Sequence, residues 1–435
     1  MKKRAKTRVA LVGLGSVGLA VLRAFQRNKA LLFQRTGCDI EICYISARDS
    51  NKERGIDLSP YTWVSDPETL CNYDDVDCVV ELVGGHEGTA HRIIEKSIQA
   101  GKHVVTANKA LLARHGQELF LQAEARGVAL HFEAAIGGGI PIVQGMRDGL
   151  AANQFQRVYG ILNGTCNYIL TQMETAGKTY EAALKEAQAH GYAEADPTED
   201  VEGLDTAHKL TILATLAFGI PLRFDRVRVM GISSVQIQDI NCAVELGYRI
   251  RLLGIAEINH NGITLSVEPI LLKADTLLSG LQGVTNSIVC EGDLVGDVTM
   301  IGPGAGGDAT ASAVISDILA IARKGNTCVS SLGCQASLLQ AIDYCIPDSL
   351  ASVFYVRFQV VEGDDIISWV ADIFGRHNVL LQKLYQSSVS ASEMAVCCLT
   401  RKTQRIFVDE AIAEMETEKG HQVHDVLVLR AWDND

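Results

Sequence analysis

The chain has no apolar run approaching the ~20 residues that a membrane-spanning helix requires, and no block of lysine and arginine beyond its opening "MKKR". The first absence argues against an integral membrane protein. The second, with a formal net charge of −13, argues against nucleic acid or an anionic bilayer as the main partner. Cysteine is not scarce, at twelve residues, but it lacks pattern: no CxxC occurs, and Cys397–Cys398 is the only close pair. Metal-type spacing and a disulfide framework are both missing, so most cysteines read as reduced, buried, small hydrophobes. "MKKRAKTRVALVGLG" starts as a secretory leader would, yet its apolar run breaks into glycines and offers no cleavage pattern. A cytoplasmic protein is expected. Composition is otherwise that of an ordinary globular protein, 47% hydrophobic and 21% charged in 435 residues, enough for two or three domains.

"RVALVGLGSVGLAVLRAF" reads as a short strand, a glycine turn and a helix. Gly13, Gly15 and Gly18 supply GxGxxG in the setting that gives the motif meaning, strand before and helix after. The first glycine allows a tight turn, the second lets backbone approach a pyrophosphate, and the third lets helix pack on strand. The phosphates would lie at the helix N-terminus, where N–H groups and the dipole favour anions. The second strand, "IEICYISARD", ends in Arg48, which can meet a 2′-phosphate and favours NADP over NAD. Asp49 can instead pair with Arg48 or contact the ribose. "VDCVVELVGG", "GTAHRIIEKSIQAG", "KHVVTANKALLA" and "GVALHFEAAIGGGIPI" continue as strand, helix, strand into turn, and strand. Such alternation predicts a Rossmann-type, doubly wound parallel sheet in an α/β protein. Ligands sit beyond the carboxyl ends of its strands, where Asn108, Lys109 and Glu133 fall.

"GYAEADPTEDVEGLDTAHKL" poses a question: six acids precede Lys209, and "LTILATLAFGI" follows it. Pro197 and the acids suit a helix start, and Gly219-Ile220-Pro221 a helix end. A helix apolar on all sides between them is a buried one. Asp205 and Lys209, four apart, are neighbours on one face. They are either a surface pair worth ~0.3–0.5 kcal/mol or charges carried inward to meet a polar ligand. In a chain that holds a redox cofactor the second reading gives them work: a lysine can protonate a carbonyl oxygen, and acids beside it can hold an ammonium group.

These motifs resemble the homoserine dehydrogenase family. The DP-x₂-D-V-x-G-x-D-x₃-K segment, "GLGSVG", "TANKALLA", "FEAAIGGGIPI", "NGTCNYIL" and "GPGAGGDATASAVISD" match it in the same order, from about residue 8 to 325. The resemblance implies NAD(P)-dependent interconversion of L-homoserine and L-aspartate 4-semialdehyde, on the route to threonine, methionine and isoleucine. It implies Lys209 as the lysine that gives its proton to the aldehyde oxygen, with Lys109 beside the nicotinamide and the reactive carbon. Asp205 and Glu194 resemble the homoserine ligands, Glu194 holding the amino group. Leu14, Gly15, Ser16 and Val17 resemble the phosphate loop, and Gly191 and Gly306 backbone contacts to the cofactor. Glu133, Ile136, Gly138 and Ile140 match a monovalent-cation site, usually assigned to sodium, with a structural role. Cys166 and Ala309 depart from the family's usual threonine and proline, and neither removes a group given a role above.

Beyond residue 340 the pattern is strand, helix from about Ile366 to Arg376, strand, strand, helix, strand. This βαββαβ order resembles an ACT regulatory domain. Asp364 and Asp365 stand where that family usually has Pro-Gly; acids there can cap the helix, while loss of the glycine bears on binding of an effector such as threonine. Subunit pairing is the alternative use of this domain. The expected organisation is a dinucleotide-binding domain at 1–135, completed by about 308–340, and an α+β catalytic and dimerisation domain at 136–307. A linker at 341–352 and the ACT-like domain at 353–435 follow, in a homodimer or homotetramer. Two rivals remain: aspartate-semialdehyde dehydrogenase, with Cys166 as nucleophile, and a non-catalytic NADP-binding amino-acid sensor.

Overall fold

The computed structural model describes residues 6–324, 330–346, 351–361, 365–388, 393–417 and 423–432. Strand β1 (Lys6–Val12) leads through the glycine turn into α1 (Ser16–Thr36), which stops where Gly37 turns left-handed at φ 68°. The alternation continues with β2 (Asp39–Ser46), β3 (Thr62–Trp63), β4 (Cys78–Glu81), α2 (Thr89–Gln99), β5 (His103–Thr106), α3 (Lys109–Arg126) and β6 (Leu130–His131). These six strands are parallel, in the order β3-β2-β1-β4-β5-β6. The order reverses between β1 and β4, where such sheets open a crevice beyond their carboxyl ends.

β6 is shorter than its sequence run suggests. After His131 the chain leaves the sheet for a 3₁₀ turn at Glu133–Ala135, and α4 (Ile142–Gln144) follows. Both Glu133 carboxylate oxygens accept backbone N–H groups, from Val143 and Gln144 at 2.8 Å each. A continuing strand would carry those donors out of reach.

Next come β7 (Phe155–Gly160), α5 (Gly164–Ala176), α6 (Tyr180–Ala189), α7 (Thr198–Val201) and α8 (Leu204–Phe218). The sequence suggested one helix from Pro197 to Phe218. The chain instead breaks at Gly203, φ 81°, where a Cβ would meet Val267 Cγ1 at 2.9 Å and Val229 Cγ1 at 3.1 Å. From Asp205 to Thr215 every residue of α8 is buried, as its lack of a polar face demands.

The chain goes on through β8 (Arg228–Val229), α9 (Ile237–Leu246), β9 (Tyr248–Asn259), β10 (Gly262–Lys273), β11 (Thr285–Gly292), β12 (Gly296–Pro303) and α10 (Gly307–Lys324). It ends with β13 (Val353–Val361), α11 (Ile366–Arg376), β14 (Leu381–Ser388), β15 (Glu393–Thr400), α12 (Arg405–Thr417) and β16 (Val423–Trp432). The last six form a split βαβ arrangement, an antiparallel sheet in the order β16-β13-β15-β14 around Phe354, Phe358, Val370, Phe374 and Val408. β16 also pairs in parallel with β10, Ile270 opposite Arg430. Asp365 precedes α11 with φ 65°, and its side chain makes no capping bond. A cap needs an extended backbone to aim the side chain at the helix N–H groups, so the capping expectation fails at Asp365. Asp364 lies outside the described residues.

The chain divides into two compact units. One takes residues up to Val158 with His208–Arg226 and Asn286–Ile342; the other takes Tyr159–Ala207, Val227–Thr285 and Asp343–Asp435. Among the described residues no helix is long and apolar enough to cross a membrane.

Candidate active site

The glycine turn is built as its motif requires. Gly13 has φ 102°, and a Cβ there would overlap the Leu82 carbonyl at the end of β4. A Cβ on Gly18 would overlap the Gly13 carbonyl, so helix and turn touch backbone to backbone. A Cβ on Gly15 would meet nothing within 4 Å. The turn is therefore closed on its inner side at Gly13 and Gly18 and open outward at Gly15. Gly15 is also the N-cap of α1 and brings no side chain to its first N–H groups, which leaves room for a phosphate at Ser16 and Val17. Leu14 is buried beside them. Gly306 has φ 110°, and the next residue, Gly307, has its Cβ position 3.1 Å from the Ser16 carbonyl oxygen, so the start of α10 abuts the same turn. This cradle fits a dinucleotide.

Arg48 is exposed just past β2, and the Asp49 carboxylate accepts the N–H of Asn51 at 2.8 Å. Lys109 opens α3, directly after Asn108, whose side chain caps the helix by accepting the Leu111 N–H at 3.1 Å. Asn108 is fixed from its other end by donating to the Gly85 carbonyl at 2.6 Å.

The acidic stretch divides in two. Gly191, Glu194, Asp196 and Glu199 are exposed, whereas Asp205 and Lys209 are 6% and 8% exposed on α8. One amide organises the inner acids: Asn163, at the start of α5, donates to Asp200 at 2.7 Å and to Asp205 at 2.9 Å. The Asn163 oxygen meanwhile caps α5 by accepting the Cys166 N–H at 2.8 Å. The same side chain thus caps a helix and orients the buried Asp205. The loop carrying Gly191 and Glu194 is tied down by Gln188, which donates to the Glu194 carbonyl at 3.1 Å, and by Thr165, which donates to that of Tyr192 at 2.7 Å. The rings of Tyr168 and Tyr192 pack edge to face at 5.0 Å.

Glu133 is 1% exposed, and burial pushes its carboxyl above the usual range, against the pull of the two N–H groups it accepts. Its own N–H goes to the buried Asp317 at 2.8 Å. Gly138 has φ 55° and its Cβ position lies 2.5 Å from the Gly304 carbonyl, so only glycine fits there. No cluster of three His, Cys, Asp or Glu able to hold a metal occurs among the described residues. The Glu133 carboxylate and the backbone carbonyls of Ile136, Gly138 and Ile140 are oxygen donors, the type a hard cation takes, and the Ile140 carbonyl also accepts the Ile142 N–H at 2.8 Å.

Sequence reading passed over Asn163 and Glu81. Glu81 is wholly buried at the end of β4, and the signal was there: a charged residue closing the apolar run "CVV" is an informative exception. Cys166 is buried, and its thiol donates to the Asp200 carbonyl at 3.1 Å. A nucleophilic sulfur must reach substrate and be held as thiolate; this one is enclosed. Cys166→Ala is expected to turn over near the unchanged rate in a steady-state assay, and loss of activity with the fold retained would restore the thioester reading.

Two family models match the chain: "Homoserine dehydrogenase, NAD binding domain" over residues 13–133 and "Homoserine dehydrogenase" over 141–319. A homoserine dehydrogenase of Pseudomonas aeruginosa is 39% identical over 419 residues, 95% of this chain and 96% of the relative. One from Neisseria gonorrhoeae is 41% identical over 413 residues, 94% of each. The crystal structure of a homoserine dehydrogenase from Thiobacillus denitrificans superposes with a TM-score of 0.92 at 36% identity, covering 98% of both chains. A hyperthermophilic archaeal homoserine dehydrogenase solved in complex with NADPH is 27% identical, with a TM-score of 0.62, over 72% of this chain and 97% of that one. With the glycine turn and the inward-carried Asp205 and Lys209 already described, this chain belongs to the homoserine dehydrogenase family, the nicotinamide-dependent oxidoreductases that interconvert L-homoserine and L-aspartate 4-semialdehyde.

Proposed function

We propose that Lys209 is the proton donor and acceptor of this reaction, at the oxygen that is hydroxyl in homoserine and aldehyde in the semialdehyde. What carries the reading is the burial of Lys209 together with Asp205 on the apolar helix α8, since charges are not taken out of water without a task or a partner. Bound nicotinamide supplies or accepts the hydride. Lys209 holds its proton at the substrate oxygen, where negative charge develops in the direction of reduction. Asp205, oriented by the Asn163 amide, accepts from a substrate donor. Glu194 takes the substrate ammonium, and its exposure on a tethered loop suits a group that meets a ligand arriving from water. Lys109 stands beside the reactive carbon. Gly191 and Gly306 contact the cofactor through backbone, with Gly13 to Gly18 around its pyrophosphate.

NADP is the preferred cofactor in this reading, because Arg48 is exposed where the second strand ends and the Asp49 carboxylate is engaged with Asn51. Arg48→Ala should weaken NADPH binding far more than NADH binding. Kinetics with both cofactors check this, and equal losses would remove the 2′-phosphate role. A sodium ion at Glu133, Ile136, Gly138 and Ile140 would brace the turn after β6. The C-terminal domain is regulatory and ACT-like, with threonine as candidate effector; its βαββαβ order supports this, and Asp365 without a cap marks where it departs from that family. Residues 1–135 with 308–340, 136–307 and 353–435 are the working domains, joined to the last by a linker at 341–352. A homodimer or homotetramer fits the edge strand β12, near which Leu294 is 74% and Ile301 45% exposed, since such an edge invites cover. A cytoplasmic location fits the free, mostly buried cysteines. One spectrophotometric assay with both cofactors, homoserine, and added threonine tests activity, preference and regulation together.

A further inference from the structure

Glu81 ends β4 with 0% exposure, and its carboxylate gathers donors from the turn that follows it and from the end of β5. One oxygen receives the N–H groups of Val83 at 2.7 Å and Gly84 at 3.1 Å; the other receives the Thr106 hydroxyl at 2.6 Å. Glu81 and Thr106 are register partners at the carboxyl ends of β4 and β5. The Thr106 oxygen in turn accepts the Asn108 N–H at 3.0 Å, and Asn108 both caps α3 and donates to the Gly85 carbonyl. On its other side β4 runs into Leu82, whose carbonyl is pressed against Gly13 and whose N–H goes to Val12 at 2.8 Å. One carboxylate therefore locks the turn at Val83–Gly85, next to the dinucleotide turn, to the loop that starts α3 at Lys109. All of this lies beside the strand-order reversal, where the crevice of such a sheet opens.

We infer that Glu81 is a positioning residue for the reaction, setting through Thr106 and Asn108 where α3 begins and hence where Lys109 stands. The inference rests on the reading of Lys109 as a lysine of the reaction centre. Glu81 needs no contact with substrate for this; a shift of ~1 Å in a group at the chemistry can cost up to about 10²-fold in rate. Glu81→Gln keeps the shape and an acceptor for Val83 and Gly84, but its amide now faces the Thr106 hydroxyl with a donor. Thr106→Val cuts the same link from the other side and serves if the first variant fails to fold.

The test is a double-mutant cycle on kcat with Lys109→Ala, alongside calorimetric binding of ADP, which fills the adenosine and pyrophosphate part of the cofactor site and leaves the nicotinamide part open. Each of Glu81→Gln and Thr106→Val should lower kcat about tenfold with ADP affinity unchanged, and should lose that effect when Lys109 is already alanine. A purely structural role would instead weaken ADP binding, or lower kcat by the same factor in both backgrounds; either result overturns the inference. An impaired Lys109→Ala with fully active Glu81→Gln and Thr106→Val overturns it alone. A fully active Lys109→Ala removes the Lys109 reading and this inference together.

Discussion

Lys209→Ala should lower kcat by ~10²-fold or more while leaving NADPH affinity near normal. The side chain sits on α8 ahead of a fully buried run, Leu210 to Thr215, and is itself 8% exposed. Two roles are open to an ammonium there. As part of a structural ion pair it would hold α8 in place, and its loss would appear as lower stability with kcat retained. As proton donor it acts in the transition state, so kcat and kcat/KM fall together. Lys209→Arg separates the two further: arginine keeps the charge but does not give up its proton in a protein, so it should preserve stability and still be slow. An active Lys209→Ala would refute the assignment.

The second large effect concerns stability. Asp239→Ala should destabilise the protein by ~3–5 kcal/mol, read by chemical denaturation. Asp239 on α9 is 0% exposed and receives Arg357 Nε at 2.7 Å, the Tyr355 hydroxyl at 2.8 Å and the Gln236 N–H at 2.8 Å. Arg357, 1% exposed on β13, also reaches the Asp425 carboxylate on β16 at 2.8 Å. Removing Asp239 leaves a buried guanidinium short of its inner partner, takes the acceptor from the Gln236 N–H, and leaves the Tyr355 hydroxyl only the weaker Cys397 sulfur at 3.2 Å. The double variant Asp239→Ala/Arg357→Met should therefore be less destabilised than Asp239→Ala alone, because no orphan charge remains. By contrast, breaking the exposed Arg223–Asp225 pair should cost at most ~1 kcal/mol. If Asp239→Ala proved as mild as that, the buried network would not be what fastens α9 to the C-terminal sheet.

What could be read from the sequence was what is decided locally. The glycine turn follows from three glycines between a strand and a helix, and α11 begins and ends at Ile366 and Arg376 as its pattern indicates. The burial of Asp205 and Lys209 followed from the apolar residues around them. The break between α7 and α8 was hidden because the crowding at Gly203 comes from Val229 and Val267, dozens of residues away. β6 was overread because Glu133 takes donors from Val143 and Gln144, a demand no periodicity displays. Asn163 and Glu81 escaped for a related reason: a single polar residue at a cap or a strand end gains its meaning only from the groups folding brings to it. Asp365 shows the reverse error, a residue type suited to capping placed on a backbone that aims it elsewhere.

Whether Lys209 reaches the reacting oxygen is measured most directly by a crystal structure of the protein with NADP+ and L-homoserine bound. The Lys209 Nζ should lie within ~3 Å of the substrate hydroxyl, on the side that faces the nicotinamide. A Lys209 Nζ turned into bulk water, remote from the cofactor ring, would contradict the role given to it here.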